Sequence, residues 1–256
     1  MDAVIAMHKP PATRLWGARA EKRRAVAPAR PALQVTPALL VPVGPYGPGR
    51  VVLVAPHPDD EVLALGATLA QLSARGHPVH IYAVTDGEGS HPCSAEWTPE
   101  RLRSERPLET ERALVRLGIR ATVERLGLPD GDVASHEKAL ALRLQLRSDD
   151  TVFVTWRHDG HADHEACARA TLAAARSSGA HCIEFPVWAL VPGHAAHPGL
   201  QGRRMQEVLV GADFAVAKQQ AMSAFGSQLQ ADAGTPAVLT PQALSVWQQP
   251  TEWLLA

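Results

Sequence analysis

Val51-Val52-Leu53-Val54-Ala55 runs directly into Pro56-His57-Pro58-Asp59-Asp60-Glu61, and the reading of this stretch decides the fold. The first five residues are a short apolar run rich in β-branched side chains, which reads as a buried strand. Residues 61 to 75 then carry apolar residues at helical spacing and stop before Gly76, a residue suited to ending a helix. Working outward, Val79 to Val84 reads as a second strand. A helix over residues 100 to 117 ends at Gly118, and Thr122 to Leu126 reads as a strand. His136 to Leu146 has helical spacing. Thr151 to Trp156 is a further buried strand, followed by an alanine-rich helix from His164 to Arg176 and a strand from Ile183 to Ala189. Strands alternating with helices predict βαβ units: an α/β fold, a Rossmann-like three-layer sandwich with a mostly parallel sheet.

The rest of the chain bounds this reading. Residues 1 to 48 hold prolines at 10, 11, 28, 31, 37, 42, 45 and 48 and a basic patch at Lys22, Arg23 and Arg24. Each proline removes a backbone donor, so the segment is expected to be a Pro-rich N-terminal arm ahead of an α/β domain over 49–256. Such an arm could wrap a neighbouring subunit, which suggests a homo-oligomer. The tail from about 231 carries few pattern signals, although Trp247 and Trp253 suggest that it docks on the body. With 46% apolar residues in 256 the chain can bury a core, and a formal net charge of -1 argues against nucleic acid as the main partner. No apolar run approaches the roughly 20 residues of a membrane span, and the opening MDAVIAMHKPP is not read as a secretory signal. Cys93, Cys167 and Cys182 form no CxxC pair, so neither a disulfide framework nor a thiolate metal site is expected, and a cytoplasmic setting follows.

Open parallel sheets bind ligands beyond the carboxyl ends of their strands, so the residues after each strand matter most. The first strand is followed by His57, Asp59, Asp60 and Glu61. The strand ending at Trp156 is followed by Arg157-His158-Asp159-Gly160-His161-Ala162-Asp163-His164-Glu165. Carboxylates this crowded repel one another unless a cation or water compensates. Acidic residues at a helix start also suit the helix dipole, so either cluster alone could be structural. Two clusters at equivalent strand ends favour a site, with His and Asp ligands suited to zinc and a position left open for water.

Ala55-Pro56-His57-Pro58-Asp59-Asp60-Glu61 with the later His161-x-Asp163-His164 resembles the PIG-L/LmbE-like family of zinc-dependent N-deacetylases, which act on N-acetylglucosaminyl lipids, mycothiol precursors and antibiotic sugars. The likeness runs from about Val51 to Gln228. It takes in Thr85-Asp86-Gly87-Glu88, Arg106-x-x-Glu109, Lys218 and Ser227-Gln228. The resemblance implies zinc held by His57, Asp60 and His164, Asp59 as general base, and His161 polarising the amide carbonyl and stabilising the oxyanion. It implies Arg106 and Asp130 as contacts to sugar hydroxyls or a phosphate. Asp163 is a candidate to hold an imidazole in place. Ala162 stands where the family more often has proline, and Asp159 where some members carry a tyrosine that reaches the substrate. The expected substrate is an N-acetyl sugar or glycoconjugate.

Other readings stay open at this point: deacylation of a longer N-acyl chain or a non-sugar amine, or a non-catalytic small-molecule-binding module on the same fold. Arg106 would otherwise be a surface charge paired with Glu109. His91 and Glu88 read as loop residues near a pocket rim, and His158 as support for the second cluster. The remaining histidines read as ordinary surface or core residues. Trp156 and Trp188 read as core, with a sugar-stacking platform as the lesser possibility. GxxxxGK[ST], GxGxxG after the first strand, GxSxG and HExxH are all absent, against nucleotide motors, dinucleotide oxidoreductases, serine hydrolases and zincins.

Overall fold

The computed structural model describes residues 35–36, 49–193, 205–232 and 234–255. Among them, eight strands form one sheet: β1 (Val35–Thr36), β2 (Val51–Ala55), β3 (Val79–Ala83), β4 (Ala121–Arg125), β5 (Thr151–Thr155), β6 (His181–Phe185), β7 (Met205–Leu209) and β8 (Thr251–Leu255). Their order is β1-β7-β8-β6-β5-β2-β3-β4, parallel except that β8 runs against both β6 and β7. The arm expected over residues 1–48 lies outside the described residues apart from Val35–Thr36, which pair in parallel with Met205 and Gln206. His8, His194 and His197 also lie outside them.

β2 and β5 are buried along their whole length because helices cover both faces of the sheet. Val51, Leu53 and Ala55 point into one apolar cluster with residues of α1 (Asp60–Leu63), α2 (Gly66–Ala74), α3 (Pro99–Leu117), α6 (Ala212–Met222) and α8 (Pro241–Trp247). Val52 and Val54 point into a second, with α4 (Glu137–Arg143) and α5 (Ala162–Ser178). The short α7 (Gly226–Leu229) follows α6. The result is the expected three-layer sandwich.

Local chemistry explains several boundaries. In α3 the Thr98 hydroxyl accepts from Arg101 N at 3.3 Å, Pro99 opens the helix and Gly118 closes it at φ 70°. Pro107 sits inside this helix and leaves the Arg103 carbonyl without its usual donor; Arg125 Nη2 donates to that carbonyl at 3.2 Å. The helix expected over 61–75 is broken into α1 and α2. The backbone N–H groups of Ala67 and Thr68, freed at the start of α2, are taken by the Glu252 carboxylate of β8 at 3.0 and 2.7 Å. Ile183 to Ala189 likewise divides, into β6 and a 3-10 turn over Trp188–Leu190.

Strand order fixes the position of the site. The chain leaves β2 toward β3 and β4 on one side, then returns to place β5 and β6 on the other. β2 and β5 are therefore neighbours at the switch point, in register with Val54 opposite Val154. Both carboxyl ends open on the same crevice.

Candidate metal centre and cleft

His57 leaves β2 at its carboxyl end, and Asp59, Asp60 and Glu61 follow in the tight turn into α1. Asp59 takes φ 119°, a left-handed conformation uncommon outside glycine. Its neighbours hold it there. Glu61 Oε2 accepts from Asp59 N at 3.0 Å, and the Asp59 carbonyl accepts from Val62 N and Leu63 N, both at 2.9 Å. From the other side, His161 caps α5, its Nδ1 accepting from Asp163 N at 3.3 Å, and His164 lies one turn on, fully buried.

Across the switch point these elements converge. His57 Nδ1 lies 3.2 Å from His164 Nε2, and Asp60 Oδ2 lies 3.4 Å from the first and 3.3 Å from the second. The far nitrogen of each ring faces a carboxylate. His57 Nε2 is 3.1 Å from Asp130 Oδ1 and 3.3 Å from Asp163 Oδ2, while His164 Nδ1 is 2.8 Å from Asp159 Oδ2. A proton on each outer nitrogen leaves the inner lone pairs, with Asp60 Oδ2, converging on one point. Tetrahedral zinc with bonds of about 2.0–2.1 Å has ligand atoms about 3.3–3.4 Å apart, which matches this triangle. The charge balance agrees. Asp59, Asp60, Glu61, Asp130, Asp159 and Asp163 crowd the site, and Arg106 is the permanently charged group among them. The residues present fit a divalent cation with nitrogen and oxygen ligands.

Arg106 does not pair with Glu109. It is 3% exposed, with Nη2 3.1 Å from Asp59 Oδ2 and also donating to the Pro58 carbonyl, and Nη1 donating to the Gly87 carbonyl at 2.8 Å. Gly87 is required by this approach: a Cβ there would stand 1.8 Å from Arg106 Nη1, and its φ is 65°. Glu109 instead accepts from Ser227 N and Ser227 Oγ, both at 2.7 Å. Burial pushes the Asp59 carboxyl up to about 8; Arg106 opposes this, and Asp60 and Glu61 add to it. Burial also takes His161 down to about 4, helped by the nearby His164 and His57 rings. Burial alone would lower His164 too, but the charge of Asp60 and the contact with Asp159 overcome it and lift the ring to about 9; a divalent cation at Nε2 would take the place of that second proton.

The ligand triangle opens into a cleft of about 350 Å³, lined by His57, Asp59, Asp60, Arg106, Asp130 and His161, with Gly89, Ser90, Gly131, Trp188, Gln228 and Val238 completing the wall. The sequence-identified residues thus meet at one place, with Asp163 behind His57. Asp130 both faces the cleft and contacts His57, while its Oδ2 accepts from Gly89 N at 2.8 Å. Glu88 lies behind it, with Oε1 3.3 Å from Arg103 Nη2. His158 stacks edge-on against Trp156 at 5.5 Å. Trp188 belongs to the cleft wall, packed edge-on against Trp247 at 5.6 Å. Sequence reasoning missed Asp159 as a support and Ser90 and Val238 as lining. Asp159 adjoins the second motif, so its place there was the available signal; Ser90 and Val238 had none.

Residues 52–175 match the family described as GlcNAc-PI de-N-acetylase, PIG-L. Over that stretch the chain is similar to the PIG-L family. Among its relatives, the 1D-myo-inositol 2-acetamido-2-deoxy-alpha-D-glucopyranoside deacetylase of Mycolicibacterium vanbaalenii is 31% identical over 158 residues, covering 50% of this chain and 55% of that one. The protein of the same description from Corynebacterium urealyticum is 26% identical over 268 residues, covering 82% and 79%. The chain thus spans about half the length of the first of these relatives. Among solved structures, the conserved protein TT1542 from Thermus thermophilus matches with a TM-score of 0.52 at 26% identity, over 77% of this chain and 84% of that one. The pseudoaglycone deacetylase Dbv21 shares the fold with a TM-score of 0.60 at 24% identity, over 80% and 96%. Among the described residues no helix is long and apolar enough to cross a membrane.

Proposed function

We propose that the protein is a zinc-dependent N-deacetylase that hydrolyses the acetamido group of an amino-sugar-containing substrate to acetate and a free amine. The observation that carries this reading is the triangle of His57 Nδ1, His164 Nε2 and Asp60 Oδ2, with sides of 3.2 to 3.4 Å, opening on a cleft that Asp59 and His161 also line. His57, Asp60 and His164 would hold zinc, which when bound polarises a carbonyl and makes water more acidic.

The chain's own groups perform the rest. Asp59, whose ionised form is favoured by Arg106 at Oδ2 against the lift from burial and would be favoured further by a cation beside it, accepts a proton from the attacking water. The nucleophile adds to the acetyl carbon, and charge develops on the carbonyl oxygen. His161 has Nδ1 occupied by the Asp163 N–H, so its neutral ring carries the proton on Nε2 and donates it as a hydrogen bond to that oxygen. The C–N bond then breaks as the nitrogen takes the proton back from Asp59. Asp130 on the cleft wall would offer an acceptor to a sugar hydroxyl, and Arg106, whose terminal nitrogens hold Gly87, Pro58 and Asp59, would lend positive charge beside it. The names of the relatives, which specify an inositol glycoside of 2-acetamido-2-deoxyglucose, favour this substrate class.

The test is metal content followed by amine and acetate release from N-acetylglucosaminyl glycosides. About one zinc per chain, lost in His57→Ala and His164→Ala, with acetate and amine released in equal amounts, is the expected result. A chain that takes up no zinc on reconstitution, or a zinc-loaded one that releases longer acyl chains in preference to acetate, would overturn it.

A further inference from the structure

Asp159 is 1% exposed and does not line the cleft, yet its carboxylate accepts four hydrogen bonds. Oδ1 takes Val187 N at 2.8 Å and Ala189 N at 3.1 Å. Oδ2 takes Trp188 N at 3.0 Å and His164 Nδ1 at 2.8 Å. The three backbone donors are Val187, which precedes the short 3-10 turn after β6, and the turn's first two residues, Trp188 and Ala189; Trp188 forms part of the cleft wall. A carboxylate offers about four lone-pair sites, and here each is used.

We propose that Asp159 is a positioning residue that joins the His164 imidazole to the Trp188 wall, so that the metal centre and the substrate-facing surface are set by one side chain. The proposal rests on the metal site of the function proposed above. Because Asp159 accepts at Nδ1, it fixes the His164 proton there and leaves the Nε2 lone pair directed at His57 and Asp60. Because it also gathers three consecutive N–H groups, the same carboxylate fixes how far Trp188 stands from the ligands. A side chain engaged in this way cannot reach a substrate. Recognition at this point of the cleft therefore passes to Trp188 and to the backbone that Asp159 holds.

Asp159→Asn preserves the shape but puts an NH2 group where one oxygen accepted. Facing His164, that group donates to Nδ1, so the ring proton moves to Nε2 and the ligand lone pair is lost. The zinc dissociation constant, measured by competition with a chelating dye, is expected to rise about 10- to 100-fold. Hydrogen exchange of the Val187, Trp188 and Ala189 amides is expected to accelerate in the same variant. A carboxylate with a merely structural role would lower the melting temperature and leave zinc affinity unchanged, and that result would overturn the proposal. If the variant does not fold, a two-bond proton–nitrogen spectrum of the zinc-loaded unmodified protein reads the His164 tautomer directly. A proton on Nδ1 supports the proposal, and a proton on Nε2 overturns it. If the unmodified protein binds no zinc, the metal-site reading fails. The exchange rates at residues 187–189 in the variant then decide alone: faster exchange upholds the role of Asp159 in holding the wall, and unchanged exchange removes it.

Discussion

Glu252→Gln should destabilise the protein strongly without removing any group from the cleft. Lys218 and Glu252 form an ion pair at 2.8 Å with side chains 3% and 1% exposed. Glu252 also accepts from Ala67 N and Thr68 N at the start of α2. Glutamine keeps the volume and one carbonyl oxygen but leaves Lys218 as an uncompensated buried cation. Breaking a buried pair from one side costs about 3–5 kcal/mol. For a body of about 200 residues each kcal/mol moves the melting temperature by roughly 2–4 °C, so the loss should be about 6–20 °C. Urea denaturation and thermal melting followed by circular dichroism measure both quantities. Lys218→Met should destabilise alone, and the double variant Glu252→Gln/Lys218→Met should regain at least half of the summed loss, because a neutral pair needs no compensation. Single variants within about 1 kcal/mol of the parent, or strictly additive losses, would refute the reasoning.

Three further outcomes follow from the site and its surroundings. Asp59→Asn should keep its zinc and lose about a hundred- to ten-thousand-fold in turnover, measured as amine release; turnover within tenfold would remove Asp59 as the proton acceptor. Gly87→Ala should displace the Arg106 guanidinium, since its Cβ would fall 1.8 Å from Nη1, and should raise KM and lower kcat together; unchanged kinetics would show that Arg106 is dispensable. A thiol reagent at pH 8 should modify Cys93, which is exposed, and spare the other two. Burial pushes the Cys182 thiol up to about 12 and Cys167 well above its ordinary value, so both stay unreactive thiols at that pH, and three fast-reacting thiols per folded chain would contradict this.

The two strands that carry the chemistry were legible because both are buried on both faces and read as unbroken apolar runs. Their adjacency was expected only from strand-end logic; the order β5-β2-β3 supplies it. β8 was hidden for a physical reason. Its inward-facing positions are Glu252 and Leu254, and a buried carboxylate in an alternating strand looks like a solvent-facing residue until its partners, Lys218 and two helix N–H groups, are in place. The break between α1 and α2 was hidden for the same reason, since the apolar spacing continues across it while the cap comes from 185 residues away. Asp159 shows the limit of motif reading: its four donors lie in two segments, of which only His164 is near it in sequence.

The placement of the site at the switch point also bears on how the chain folds. His57 and His164 are separated by 107 residues, and neither half of the ligand triangle is complete in its own βα unit. A nascent chain that has paired β2 with β3 and β4 holds His57 and Asp60 but has nothing to set against them until β5 docks on the open side of β2. That docking closes a long loop, the kind of nonlocal step that slows folding. On the function proposed above, a cation gripped by both halves would bind the closed sheet and not its precursors, so its binding free energy would add to the stability of that closure. Metal supply during synthesis would then govern how much protein survives as well as how active it is.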